Sequence, residues 1–242
     1  ALFGIITPFC SCSAIPLFLG FIQARIPIGV TFSFLISSPL NNEIAIALLF
    51  GLFGWKVTAI YIGFGLLVAI VGGFVIGKLQ MEKYVLMDVK PMQGELDEVT
   101  ITLSAKERAK EAYDYTKEIF KDIYLYVLIG VGVGALIHGY IPADFIAKYA
   151  GAENPFAVLV AVIMGIPMYS NAAGVMPLVE VLTSKGMLLG TALSFMMAVT
   201  ALSLPEAMIL KKILHVKLIA TFFGIVGVGI IGVGYLFNFI LK

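Results

Sequence analysis

The sequence predicts an all-α polytopic membrane protein, and three observations carry that prediction. Hydrophobic residues make up 60% of the 242 positions and charged residues 13%, against about 25% charged in a soluble domain. The few charges are gathered: ten of the fifteen acids and eight of the sixteen bases fall between Lys78 and Asp122. On either side of that segment the chain reads as apolar stretches of spanning length, several interrupted by proline beside Ser, Cys, Asn or Glu. A formal net charge of +1 gives no reason to expect nucleic acid, so the bases matter through their placement between spans.

Three regions follow: a first membrane repeat over 1–77, a charged soluble connector over 78–118 and a second membrane repeat over 119–242. Ala1 to Gln23 is apolar but broken at Pro8 and Pro16, which predicts two half-helices meeting at a turn over Cys10 to Ser13. Arg25 and Pro27 mark an interface. Ile28 to Gly54 is long enough to span, with a polar break at Ser37-Ser38-Pro39-Leu40-Asn41-Asn42-Glu43. Trp55 and Lys56 read as an interfacial anchor, and Val57 to Gly77 supplies the ~20 residues that a hydrocarbon core requires.

In the connector, Ser104-Ala105-Lys106-Glu107 has the form of a capping box, and Lys110 can pair with Asp114 one turn on. Ile123 to Tyr140 is a glycine-rich span with His138 near its end. Ile141 to Asn154, carrying Asp144, Lys148 and Glu153, reads as an amphipathic turn at the surface. The next apolar segment starts at Pro155. It is interrupted over Gly165 to Gly174 and again at Pro177, and the chain turns at Lys185-Gly186. Met187 to Leu210 breaks at Ser203-Leu204-Pro205-Glu206, a basic cluster of Lys211, Lys212, His215 and Lys217 follows, and Leu218 to Leu241 is a final span.

The two membrane regions share an order of events. Pro16 laid on Pro177 without gaps also matches Leu17 with Leu178, Gly29 with Gly190, Ser33 with Ser194, Phe34 with Phe195 and Lys56 with Lys217; a two-residue adjustment brings Glu43 onto Glu206. Interrupted hydrophobic segments in corresponding positions of two halves point to a transporter site near the bilayer midplane. The expected arrangement is inverted, with one re-entrant segment per repeat, because re-entrant backbone accounts for many polar breaks at once. Ile123 to Tyr140 has no counterpart in the first half, and the chain opens in an apolar stretch without Met or a basic leader, so a leading helix upstream is expected.

The breaks hold the candidate site. Glu43 and Glu206 are the acids expected at membrane depth, where a charge costs at least ~2.5 kcal/mol and marks an ion or proton path; the competing reading has them capping half-helix N-termini or sitting near an interface. Asn41, Asn42, Tyr169, Ser170 and Asn171 offer the hydrogen-bonding groups that unwound backbone in a cavity needs, as do Ser11, Ser13 and Ser203. Cys10 and Cys12 offer soft ligands, and thiolates favour Cu(I), zinc and similar centres. The competing reading makes them small buried apolar residues. No other thiol is present to complete a tetrahedral metal site, and no cofactor motif or Walker A run appears.

The run Thr7-Pro8-Phe9-Cys10-Ser11-Cys12-Ser13-Ala14-Ile15-Pro16, with Phe34 to Pro39 and Ser203-Leu204-Pro205-Glu206, resembles the predicted-permease family that includes the organoarsenical efflux permeases (ArsP type). The resemblance implies export of trivalent methylated or aromatic arsenicals, with Cys10 and Cys12 as substrate contacts. The chain is thus expected to export a small thiophilic solute, foremost a trivalent organoarsenical, across the cell membrane of a prokaryote, with Glu43 and Glu206 carrying ion-coupling charge or holding the broken helices in place. Expected partners are a small-molecule or metalloid substrate and the lipid bilayer, with a homo-oligomer left open. The rival readings are a permease for another soft solute, such as a sulfur compound or metal ion, a membrane thiol-disulfide enzyme using Cys10 and Cys12, and a structural subunit of a larger assembly.

Overall fold

The structure, a computed structural model, describes residues 1–6, 11–85, 150–151, 154–211 and 213–240, with single helical positions at 110, 113, 117, 124, 128 and 132. Cys10, the Ser104 capping box, His138, Asp144, Lys148 and Glu153 lie outside the described residues. Nine α-helices are described in chain order: α1 (Leu2–Ile6), α2 (Ser11–Gln23), α3 (Ile28–Leu40), α4 (Glu43–Lys78), α5 (Ala157–Gly165), α6 (Ala172–Ser184), α7 (Leu189–Ala201), α8 (Leu204–Leu210) and α9 (Val216–Ile240). A 3-10 turn, Met81–Tyr84, follows α4. The described β structure is one isolated bridge, Val85 to Leu214.

Among the described residues, three stretches are apolar and long enough to cross a membrane: Glu43–Lys78, Leu189–Leu210 and Val216–Ile240. This is a multi-pass membrane protein, and its burial pattern agrees with one. On α4 the exposed side chains Leu67, Ile70, Val71 and Phe74 recur at the spacing of one helix face, while Tyr61, Val68, Ala69 and Ile76 on the other faces are buried. Such an apolar outer stripe belongs against lipid. At the centre, every residue of α7 from Gly190 to Val199 is buried, as is α3 from Phe34 to Leu40.

Packing fixes the direction of each helix. α3 runs antiparallel to the second part of α4: Gly29 abuts Gly73 and Gly77, and Asn41 abuts Gly65. A Cβ on Gly73 would fall 2.5 Å from the Gly29 carbonyl oxygen, so glycine is what lets these backbones touch. α9 runs antiparallel to α4 as well. Gly72 meets Ile225 and Val68 meets Gly229, and the Phe64 and Phe237 rings lie 5.7 Å apart. The His215 N–H donates to the Tyr84 carbonyl at 2.8 Å, which ties the end of α4 to the start of α9.

The prolines do less than the sequence predicts. α2 starts at Ser11 and continues through Pro16, α6 continues through Pro177, and α3 runs through Ser37, Ser38 and Pro39 to Leu40. Each proline removes one backbone bond, and packing on both sides of that bond holds the turn. The interruptions fall instead at Asn41-Asn42 and Leu202-Ser203, where Asn42 (φ −67°, ψ 138°) and Ser203 (φ −68°, ψ 144°) are extended. A further kink occurs at Gly54 (φ 78°), beside the exposed Trp55, and divides α4 into 43–53 and 55–78.

α2 and α6 end alike. Ile26 N–H bonds back to Phe21 and Arg25 N–H to Ile22; Met187 N–H bonds to Leu182 and Gly186 N–H to Thr183. This helix stop requires a left-handed residue, supplied by Gly186 (φ 90°) in one case and Arg25 (φ 56°) in the other. Arg25→Gly is expected to stabilise the protein by roughly 1 kcal/mol by removing the Cβ penalty of that conformation. Thermal unfolding in detergent checks it, as a rise in the midpoint.

Candidate functional site

Two interrupted helices carry most of the site. α3 ends at Asn41, and Asn42 then caps α4, its side-chain oxygen accepting the Ile44 N–H at 2.8 Å. α7 ends at Leu202, and α8 starts at Ser203, whose hydroxyl caps nothing; the Leu204 N–H donates to the Ile166 carbonyl at 3.0 Å. Both breaks lie at mid-depth. Asn41 rests on Gly65, about 15 Å along α4 from Trp55 and about 20 Å from Lys78 at the helical rise. Leu202 lies against Gly227, about 17 Å from Val216 and about 20 Å from Ile240.

Two further half-helices start at the same level. α2 begins at Ser11 and reaches its surface turn about 20 Å later; α6 begins after Asn171 and does the same toward the opposite end of the molecule. Asn171 caps α6, its side-chain oxygen accepting the Gly174 N–H at 2.8 Å. The Ser170 hydroxyl donates to the Asn171 carbonyl. α2 packs beside α8, and α6 beside α4.

Of the predicted site residues that the structure describes, Ser11, Cys12 and Ser13 lie on α2, Asn41, Asn42 and Glu43 at the α3–α4 break, Tyr169, Ser170 and Asn171 before α6, and Glu206 on α8. Ser11, Cys12 and Ser13 form the first turn of α2. Tyr169 and Ser170 are half-buried and Asn171 is exposed before α6; Asn42 is half-buried as a cap. The two acids differ. Glu43 opens α4 and is exposed, whereas Glu206, in the first turn of α8, is 2% exposed.

Three buried side chains at the breaks have no hydrogen-bond partner among the described residues: both amide atoms of Asn41, the Ser203 hydroxyl and both Glu206 carboxyl oxygens. Leaving such groups unpaired costs about 1–3 kcal/mol each, and more for a charge. Polar groups held unpaired at mid-depth await a ligand, an ion or water. Beside them, the Tyr61 hydroxyl donates to the Leu40 carbonyl at 2.7 Å and so satisfies the end of α3.

A model of the predicted permease family matches residues 1–239. The chain belongs to that family. The UPF0718 protein MJ0584 of Methanocaldococcus jannaschii is 25% identical over 297 aligned positions, which cover 100% of this chain and 81% of that protein. No solved structure matches. Membership in a family of predicted permeases points to a membrane transporter rather than an enzyme.

The contact between Asn41 and Gly65 is tight enough to test the seating of the first break. A Cβ on Gly65 would meet the Asn41 side-chain oxygen at 2.5 Å. Gly65→Ala alone should destabilise by about 1–3 kcal/mol, and Asn41→Ala should relieve most of that loss. A double-mutant cycle by chemical denaturation reads the coupling.

Proposed function

We propose that the chain is a secondary-type permease of two inverted repeats that exports a small thiophilic solute, a trivalent organoarsenical foremost. The observation that carries the transport reading is the level at mid-depth where four half-helices begin around the unpartnered Asn41, Ser203 and Glu206. Helix N-termini and unwound backbone at the midplane are what a transporter uses to hold a solute it must also release.

The repeat is supported by a shift of 161 residues. It takes Ser11–Gln23 to Ala172–Ser184 and Ile28–Leu40 to Leu189–Ala201, and it takes 55–78 to within one residue of the end of Val216–Ile240. Contacts follow the same shift. Gly4 against Phe34 and Ser37 becomes Gly165 against Phe195 and Ala198; Gly29 against Gly73 becomes Gly190 against Gly234. The left-handed Arg25 becomes the left-handed Gly186. Inversion is supported by direction: 55–78 and α9 are equivalent under the shift and antiparallel in space, so their relating axis lies in the membrane plane.

Each repeat then consists of a re-entrant hairpin, an interrupted span and a continuous span. In the second repeat the hairpin is α5 and α6. Its entry is held by the Tyr235 hydroxyl on the Pro155 carbonyl at 2.9 Å, and its exit leads to Gly190, which abuts Asn238 at the same end of α9. Arg25, Lys78, Lys83, Lys211 and Lys217 gather at the end where α4 finishes, and Lys56 and Lys185 at the other. The positive-inside rule makes the first end cytoplasmic.

Cys10 and Cys12 bind the soft atom of the solute in this reading. Cys10→Ser with Cys12→Ser should abolish binding and transport of a trivalent methylarsenical by purified protein while leaving it folded; unchanged transport removes the thiols from the mechanism. The inversion has its own test, in that cysteine-free background. Lys56→Cys and Lys217→Cys are equivalents under the shift, so an impermeant thiol reagent should reach them from opposite sides of a sealed vesicle. Labelling from one side would make the repeats parallel.

A further inference from the structure

We infer that Glu206 alone couples transport to an ion, that the ion is a proton, and that Glu43 takes no part. This rests on the permease reading above and names its driving ion. Glu206 is 2% exposed, with both carboxyl oxygens inaccessible and unpartnered among the described residues. It stands three residues past the midplane break at Ser203.

Among the described residues, the elements packed on or bonded to α8 supply no counter-charge. α2, which packs on α8, has no charged residue over Ser11–Gln23, and its one ionisable side chain is Cys12. The 166–171 segment, bonded to the start of α8, contributes Tyr169; α3 and α7 contribute no ionisable group, and α8 has only Glu206 itself. An ionised carboxylate in this setting is an uncompensated buried charge. A proton neutralises it without further ligands, whereas a hard metal cation requires about six oxygens. No group of three His, Cys, Asp or Glu side chains that could hold a metal is present among the described residues.

Glu43 is set up differently. It is exposed in the first turn of α4, so its carboxylate is not shut away from solvent as that of Glu206 is. Under the 161-residue shift the counterpart of Glu206 is Ala45, which is buried, so the first repeat has no second copy of the proton site. One carboxyl implies one proton per cycle. When the α7–α8 break opens to the cytoplasm, the Glu206 O–H bond breaks, the proton leaves to water and the electron pair stays on the carboxylate. When the break opens outward, the carboxylate takes a proton from the other side and closes neutral. Solute leaving the cell would thus exchange for a proton entering.

Two measurements on the full chain test this. In proteoliposomes with a pH gradient and methylarsonous acid as the probe, wild type and Glu43→Gln should accumulate the probe against its gradient. Glu206→Gln should lose accumulation yet keep one-for-one exchange of labelled probe. Accumulation by Glu206→Gln, or its loss in a folded Glu43→Gln, overturns the inference. The second measurement needs no solute: infrared spectra of wild type at neutral pH should contain a protonated carboxyl band that Glu206→Gln lacks. Absence of that band from wild type overturns the proton. A wild type that shows the band yet moves no probe supports the proton on Glu206 and counts against the arsenical.

Discussion

Backbone amides and carbonyls cannot be left bare in hydrocarbon, and the rest of this structure depends on that constraint. A chain that interrupts its helices at mid-membrane has to bury every interruption in protein or wet it. Here the first is done: the interrupted helices α3 and α7 are the buried centre, and the 55–78 part of α4 and α9 carry the lipid-facing stripes. Glycines make this burial feasible. Gly29 on Gly73 and Gly190 on Gly234 bring the inner and outer helices close enough that no lipid can reach the freed backbone.

The same constraint explains how much was legible in the sequence. Membrane class and helical content are written in residue type and spacing, because lipid enforces them locally. The exact breaks are not. Proline is a conspicuous mark, yet Pro16, Pro39 and Pro177 all sit inside helices, while the real interruptions use Asn42 and Ser203 in extended conformation. A proline's lost bond can be absorbed by packing that no local pattern reveals. An extended asparagine that caps the next helix cannot be read as helix at all.

The difference between the two acids has a related cause. Glu43 and Glu206 both follow a break in an apolar stretch, and a two-residue adjustment aligns them. Burial separates them: both lie in the first turn of a helix, but Glu43 is the first residue of α4 and exposed, while Glu206 is the third of α8 and buried. That two-residue difference is a rotation of about 200° at 100° per residue, more than half a circle, and it is invisible without a fixed helix start.

Val68 and Gly229 touch where α4 crosses α9, with a Cβ on Gly229 falling 3.0 Å from a Val68 methyl. Under the inverted-repeat reading proposed above, these two positions are equivalents of each other. A valine on one side and a glycine on the other then let the crossing close as knob and hole, a fit that two valines would overfill and two glycines would leave empty.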